Sequence, residues 1–577
     1  MANARATNAN HGGRYGLQTE TLLISSSNGI RFSISDISSP QGRLLSCLYR
    51  ERSSISLYDA LHAPSPDAKL LHFSNQTIVL VAETLLKFKK ICEGYGVSHD
   101  CIYIFATEAM RIAKNRDEML QTISKTSGLT VSILTAEQES LYGAVGARSC
   151  FDQMDGLFMD LGGGSLQVTY VNTNLGSGYE TAAAKAAQSM PFGAARLTLA
   201  LEEQTTAALQ KELREKLKET FERLVETFDV LKSKIAGGDG VSLYLSGGGL
   251  RGYGSMLMHM DPIQPYPIPV VGGYIVSGDR FSLWREMLEA NDQAGKIFGL
   301  SKRRRKQFPA IALVVRSIIE TIPKIKSAVF CSGGTREGVL FMKLPCSIKN
   351  SDPSLHNLIT GQDQDPSIIS IVSQLLKTVL PSQCPSLFTL SFLKQIALCT
   401  WVSQGHLHNA SHFLHTCTSG DFVSLPGITH EFSAALALTL STRWGSRLRP
   451  TDVQIQRNLV DFIGLETAWM CQYLGTAARF LAELCPVFSI IPHVLVESLS
   501  WEATFSKSLG KKRKKSGIQL RVTMPGKDCD LPGRDFGQLQ GMWKKVGKGL
   551  SLDWKVEMEM VLSGSDEVIN EAVNLTK

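Results

Sequence analysis

The sequence predicts an α/β protein of two duplicated lobes, followed by a mainly α-helical C-terminal region that ends in a small α+β unit. Three observations lead there. Leu22 to Ile37 and Gly156 to Val171 both read as strand, polar turn, strand, with helical segments only later, so one α/β unit occurs twice in diverged form. Small-residue turns follow strand-like runs at Gly162–Gly164, Ser246–Gly249 and Ser332–Gly334. Such turns line up along one sheet edge, which is where open α/β sheets bind ligands. After Leu344 the strand signals fade and apolar helical patterning takes over.

Taken in order, residues 1–20 read as a disordered lead-in rich in Ala, Asn, Arg and Gly. The first lobe spans 21–150. It holds the opening strand pair, an amphipathic helix near Asn75 to Gly94, a strand from Cys101 to Ala106, a helix from about Glu108 and a strand from Thr130 to Leu134. The second lobe spans 151–345 and opens on a glycine-rich hairpin. A single long helix is expected over Glu202 to Ile235, where Leu209, Leu213, Leu217, Phe221, Leu224, Phe228 and Leu231 make one apolar stripe. Gly237-Gly238 ends it. Residues 346–367 are polar and Pro-containing and read as a linker. The region 368–577 is helical to about Phe505 and then returns to strand, helix, strand from Gly517 to Val561.

The chain has 577 residues, so two to four domains are expected. Apolar residues make up 43% and charged residues 20%, the balance of a soluble globular protein, and a net charge of +7 is too diffuse to imply direct DNA binding. The 12 cysteines show no zinc-ligand spacing, and no apolar run reaches membrane-spanning length. These features point to a cytoplasmic protein with free thiols and no membrane partner. Lys511-Lys512-Arg513-Lys514-Lys515 reads either as a polyanion-binding or import patch or as a solvated hairpin loop. His406, His408, His412 and His415 read as ordinary helix histidines, since no metal-site dipeptide accompanies them.

The glycine-rich hairpin carries the chemistry. Gly162, Gly163 and Gly164 remove side chains from a strand-to-strand turn, so backbone N–H groups can converge on an anion. Asp160 precedes them, placed to hold a divalent cation against the same phosphate, and Ser165 and Gln167 follow. No Walker string is present, so the phosphate reading rests on a hairpin, not on a loop that opens a helix.

Five segments in order resemble the exopolyphosphatase/guanosine-pentaphosphate phosphatase family of the actin–hexokinase–Hsp70 superfamily. They are Ser27-Asn28-Gly29-Ile30-Arg31, Ala106-Thr107-Glu108-Ala109-Met110-Arg111, Thr135-Ala136-Glu137-Gln138-Glu139, Asp160 to Gln167, and Ser332-Gly333-Gly334-Thr335-Arg336-Glu337-Gly338. The resemblance covers about Leu22 to Leu344. It implies two ribonuclease H-like lobes gripping a terminal phosphate between two loops. Ser27, Asn28, Arg31, Gly162, Gly163, Gly164 and Ser165 would bind that phosphate. Asp160 would hold Mg²⁺, and Glu139 and Gln167 would act on the attacking water. The implied ligand is a nucleotide or polyphosphate.

Two positions depart from the family pattern. Ile24 and Ser26 stand where an aspartate and a glycine belong in the first loop, which removes one anchor for the metal. Gln167 replaces a glutamate, and an amide can orient water but cannot serve as a base. The wording Asn28 to Ser35 and the long C-terminal extension look most like the fungal retrograde-regulation branch of the family. That branch implies signalling partners, and a homodimer is a further expectation.

Overall fold

The computed structural model describes residues 19–26, 29–37, 43, 46–63, 71–353, 365–401, 409–419, 422–445, 447–486, 499–524 and 536–562. Ser27, Asn28, His406 and His408 lie outside the described residues.

Strands β1 (Thr19–Ser26), β2 (Gly29–Asp36), β3 (Ser46–Arg52), β4 (Ile102–Ala106) and β5 (Val131–Ile133) form the first sheet, in the order β3-β2-β1-β4-β5. The first three run antiparallel, β4 is parallel to β1, and β5 is parallel to β4. The second sheet holds β6 (Asp155–Leu161), β7 (Leu166–Asn172), β8 (Gln188–Met190), β9 (Val241–Ser246), β10 (Ile275–Ser277) and β11 (Ile325–Phe330), in the order β10-β11-β9-β6-β7-β8. Set β10 aside, and its strands repeat the first sheet's arrangement: third, second, first, fourth, fifth, with the same parallel and antiparallel pairings. The duplication expected from the two strand–turn–strand openings is therefore present in the topology. Both sheets are mixed, and β7 is buried along its whole length because helices cover both faces.

Two helices cross between the lobes. Helix Ala136–Arg148 starts at a capping box formed by Thr135 and Gln138 and leaves the first lobe to pack on the second. Its Ala144 and Ala147 join Met154, Phe158 and Val171 in one apolar cluster. Helix Thr335–Lys343 does the reverse, laying Val339 and Leu340 against Tyr103 and Phe105 of β4. The division at 150/151 thus separates the strands of the two lobes but not these helices. The pair meets at glycines: a Cβ on Gly146 would stand 2.0 Å from the Gly334 carbonyl oxygen, and one on Gly338 would stand 1.8 Å from that of Tyr142.

Several boundaries differ from the sequence reading. β1 begins at Thr19, inside the expected lead-in of 1–20. The long helix is three, Ala194–Glu203, Thr206–Thr227 and Asp229–Ala236. Thr205 caps the second, and Phe228 is extended (φ −120°, ψ 102°) with its ring 4.9 Å from that of Tyr170. An aromatic anchor in the core overrides the continuous stripe. The linker of 346–367 is shorter than expected, because Cys346–Lys349 is helical and another helix starts at Pro366.

The C-terminal region packs helices Pro366–Thr378, Leu390–Cys399, Asn409–Thr418, His430–Arg443, Val453–Ile463 and Leu465–Leu484 around one core containing Trp469 and Leu474. Its sheet starts at Ser500, earlier than Gly517, with β12 (Ser500–Leu509), β13 (Lys515–Met524) and β14 (Trp554–Leu562). Lys511 to Lys514 form the exposed turn of the β12–β13 hairpin. His415 is part of the structure: its Nε2 lies 2.9 Å from Asp452 Oδ1, and Arg449 Nε lies 2.9 Å from Oδ2 of the same carboxylate. Among the described residues no helix is long and apolar enough to cross a membrane, and none of the described cysteines is in a disulfide.

This region is tied to the second lobe by backbone contacts. The His430 amide donates to the Gly273 carbonyl at 3.1 Å, and the Gly427 amide to the Cys150 carbonyl at 2.9 Å. The His430 imidazole, pushed down to about 4 by burial, shares a 2.8 Å hydrogen bond with the Tyr266 hydroxyl and is neutral at physiological pH.

Gly146→Ala should destabilise the chain by about 1–3 kcal/mol, because the added methyl meets backbone that cannot swing away. Urea unfolding checks this; an unchanged midpoint would show that the two crossing helices are not in tight register.

Candidate functional site

The β6–β7 turn is held from behind. The carbonyls of Gly162, Gly163 and Gly164 accept from the amides of Ala194, Ala195 and Gly193 in turn, at 2.8–3.0 Å, at the start of helix Ala194–Glu203. The amides of Gly163, Gly164 and Ser165 have no protein acceptor among the described residues. Buried amides without acceptors are rare in folded proteins. Three in succession on a glycine turn leave their donors free on one concave stretch of backbone, the geometry an anion would need. Beneath it lies Gln167, 2% exposed, whose side-chain amide donates to the Ser165 hydroxyl at 2.6 Å and faces that of Ser189 at 3.5 Å. That geometry makes it a support for Ser165.

Asp160 is the penultimate residue of β6, two positions before Gly162. Burial raises its proton affinity, while Arg251 and Arg31 act against that and the Ser246 hydroxyl bonds to it. Gly247 leaves room for this carboxylate: its φ is +83°, and a Cβ there would stand 2.4 Å from Asp160 Oδ1. The electrostatic contact with Arg31, which comes from β2 of the first lobe, places both lobes on one cleft. Ile24 pairs with Arg31 across β1 and β2.

Glu139 sits in the first turn of the crossing helix. Its carboxylate accepts from Arg111 Nη2 at 2.8 Å, and Arg111 Nη1 donates to the Leu134 carbonyl. Burial is the largest influence on it and Asp160 and Glu108 add repulsion, so its proton affinity rises to about 7 despite Arg111. Asp160, Glu139 and Glu108 therefore share one electrostatic neighbourhood.

Guanidinium groups surround the same space, and the motifs revealed only some of them. Arg31 is depressed to about 10, by burial first and then by Arg251, Arg336 and Arg52, with Glu337 opposing. Arg304, from the short basic helix Lys302–Lys306, is depressed by burial and by Arg251, Arg52 and Arg303. Arg251 donates to the Cys331, Ser332 and Gly333 carbonyls. Three of these groups lie against glycine turns. Cβ positions at Gly29, Gly248 and Gly334 would fall 3.1, 3.4 and 4.0 Å from Arg52, Arg304 and Arg251 nitrogens. Among the described residues neither Arg31, Arg251 nor Arg304 forms an ion pair with a carboxylate. Arg336 is neutralised by Glu337, which also accepts from the Gly334 amide at 3.0 Å. The sequence signal for Arg251 was its place five residues after Ser246; for Arg52 and Arg304 there was none.

A sequence profile of the Ppx/GppA phosphatase family matches residues 34–347. The chain belongs to the Ppx/GppA phosphatase family. The match begins just after Arg31, so the first loop precedes it. A second profile, the RTG2 C-terminal domain, matches residues 360–560. Retrograde regulation protein 2 of Saccharomyces cerevisiae is 29% identical over 511 residues, 84% of this chain and 84% of that protein. Exopolyphosphatase 1 of Mycobacterium tuberculosis is 33% identical over 117 residues, 20% of this chain and 31% of that enzyme. Among solved structures, the Aquifex aeolicus Ppx/GppA family member aligns over 57% of this chain and 97% of its own, with 20% identity and a TM-score of 0.44.

Arg336 and burial together set Glu337: the pairing wins and holds its carboxyl down at about 2. Its contribution is present above the ordinary carboxylate range and is lost as pH falls through about 2. Glu337→Gln should cost on the order of 1 kcal/mol at pH 7, since a third of the side chain meets solvent. It should also flatten the loss of stability between pH 4.5 and 2, read by thermal melts across that range.

Proposed function

We propose that this chain is a retrograde-signalling protein that binds a nucleotide or polyphosphate by its terminal phosphate and passes the state of the cleft to its C-terminal region. The observation that carries the reading is the anion cradle of Gly163, Gly164 and Ser165 amides, faced by Arg31 from the other lobe. The likeness to retrograde regulation protein 2 along most of the chain supports the signalling role. So does the route from cleft to C-terminal region. Gly427 bonds to Cys150, two residues past the helix that carries Glu139, and the Cys150 thiol accepts from the Gly333 amide at 3.2 Å.

Asp160 is a hard oxygen donor of the kind Mg²⁺ takes, and an ion held there would share its remaining positions between phosphate oxygens and water. When bound, it would neutralise charge on the phosphoryl oxygens. Ile24 leaves Asp160 without the second carboxylate that the family pattern supplies, so the arginines carry more of the ligand's charge.

One observation favours a second reading, hydrolysis of the terminal phosphoanhydride. Glu139 near 7 is an effective base at neutral pH. It would take the proton of a water whose oxygen attacks the terminal phosphorus, while the bridging P–O bond breaks and its electron pair leaves with the shortened ligand.

Calorimetric titration of the full chain with Mg²⁺ and ATP, guanosine pentaphosphate or tripolyphosphate, followed by a phosphate-release assay, separates the two. The expected result is saturable binding without turnover. Release that rises with pH through about 7 and vanishes in Glu139→Gln would establish the hydrolase instead, since the base must be deprotonated to act. The relay has its own test. Cys150→Ala removes the thiol that accepts from the Gly333 amide on this route. It should leave ligand affinity within about twofold of wild type and abolish ligand-induced changes in hydrogen exchange around residues 422–443.

A further inference from the structure

Glu108 belongs to the first lobe, yet its carboxylate is packed into the second. It opens the short helix Glu108–Ile112, and a Cβ on Gly164 would stand only 1.8 Å from its Oε2. The residue is 7% exposed, and Oε2 is buried without a hydrogen-bond partner. A bare carboxylate oxygen thus lies against the anion cradle itself, an expensive arrangement unless something completes it.

The groups facing it come from five elements. Arg196 Nη1, on helix Ala194–Glu203, lies 3.6 Å from Oε1. Arg111 shares its helix, and Ser165 presents its hydroxyl from the cradle. Tyr58, on helix Leu57–Leu61, and Glu139, on the crossing helix, lie within electrostatic range. Burial outweighs the two arginines and the serine and lifts the Glu108 carboxyl above its ordinary range.

The cradle itself offers donors, the Gly163, Gly164 and Ser165 amides, and the Arg31 and Arg251 guanidiniums lie by Asp160 in the same cleft. Donors suit any oxyanion. A carboxylate acceptor among them suits an anion that brings a proton to share and repels one that brings none. A terminal phosphate meets that condition, because its last ionisation falls near neutrality, at about 6 for a phosphate ester. Sulfate has no proton to offer at neutral pH.

We propose that Glu108 is a specificity-determining residue that shares one proton with the ligand's terminal phosphate across Gly164, so that the cleft accepts phosphate and rejects sulfate. The inference rests on the phosphate-binding reading above. The bond formed is an O–H···O hydrogen bond to an ionised partner, the strong class. The proton sits on either oxygen, and no bond to phosphorus changes. Replacing Glu108 by Gln keeps the size and supplies an N–H donor, which serves sulfate as well as phosphate.

The test is calorimetric titration of the full chain with inorganic phosphate, sulfate and tripolyphosphate, each with Mg²⁺, at pH 6, 7 and 8. Wild type should prefer inorganic phosphate over sulfate by roughly 10- to 100-fold, and tripolyphosphate should bind more weakly at pH 8 than at pH 6. Glu108→Gln should bring sulfate to within about twofold of phosphate and flatten the pH trend, with thermal melts confirming the fold. Equal binding of the two anions by wild type, or an unchanged preference in Glu108→Gln, overturns the role of Glu108 and leaves the phosphate reading standing. Failure of wild type to bind phosphate and tripolyphosphate at all overturns that reading itself. The wild-type preference and pH trend decide the matter even where the variant does not fold.

Discussion

The site depends on the backbone contact between the two crossing helices. Gly146 and Gly338 bring helix Ala136–Arg148 and helix Thr335–Lys343 so close that neither position tolerates a Cβ without backbone movement. That contact fixes Glu139, at the start of one helix, relative to Arg336 and Glu337, at the start of the other. Each helix also packs on the sheet of the lobe it does not close, through Phe158 on one side and Phe105 on the other. The pair is therefore the pivot point of the architecture, with one lobe on either side.

Much of this was legible from residues near one another in the chain. The strand–turn–strand openings foretold the repeated sheet order because hairpin pairing is local. Asp160 and the three glycines stood out because a backbone turn has a short signature, while Glu139 was singled out only by the family resemblance. The arginines were not. Arg52 lies opposite Arg31 on the neighbouring strand, and Arg304 reaches the cleft from a basic helix that reads as an ordinary solvated surface. Their meeting is a product of tertiary folding alone. Glu108 was visible inside a motif, but its packing against Gly164 crosses from one lobe to the other and has no local signature. Gln167 is a motif position whose contact with Ser165, two residues away in the same hairpin, comes with the local geometry.

The broken helix and the early C-terminal sheet have a common cause. Periodicity reports which face of a segment is apolar, and it keeps the same value when a single residue such as Phe228 leaves the helical conformation to reach the core. Trp501 acts similarly at the start of β12: its ring lies 5.5 Å from that of Phe480 and is buried in the core shared with the helices. Large aromatic anchors contribute more by burial than one or two residues of helix propensity cost.

The charge arrangement gives the pivot a direction. Arg31 and Arg52 belong to the first lobe, while Arg251, Arg304 and Arg336 belong to the second, and burial makes their mutual repulsion count for more than it would in water. A closer approach of the lobes would bring like charges together, and among the described residues Glu337 and the carboxylates near Asp160 offset them. On the proposed reading, a polyanion lying between the lobes would reverse the sign of that term and so would bind a closed arrangement better than an open one. Differential affinity of this kind is what shifts a conformational equilibrium; tight binding to both arrangements equally would shift nothing. On the proposed reading, the C-terminal region is anchored at Cys150, at the end of the pivot helix, and at Gly273, beside β11. It thus touches both the end of the crossing helix and the edge of the second sheet, so a ligand that altered their relation would be felt there.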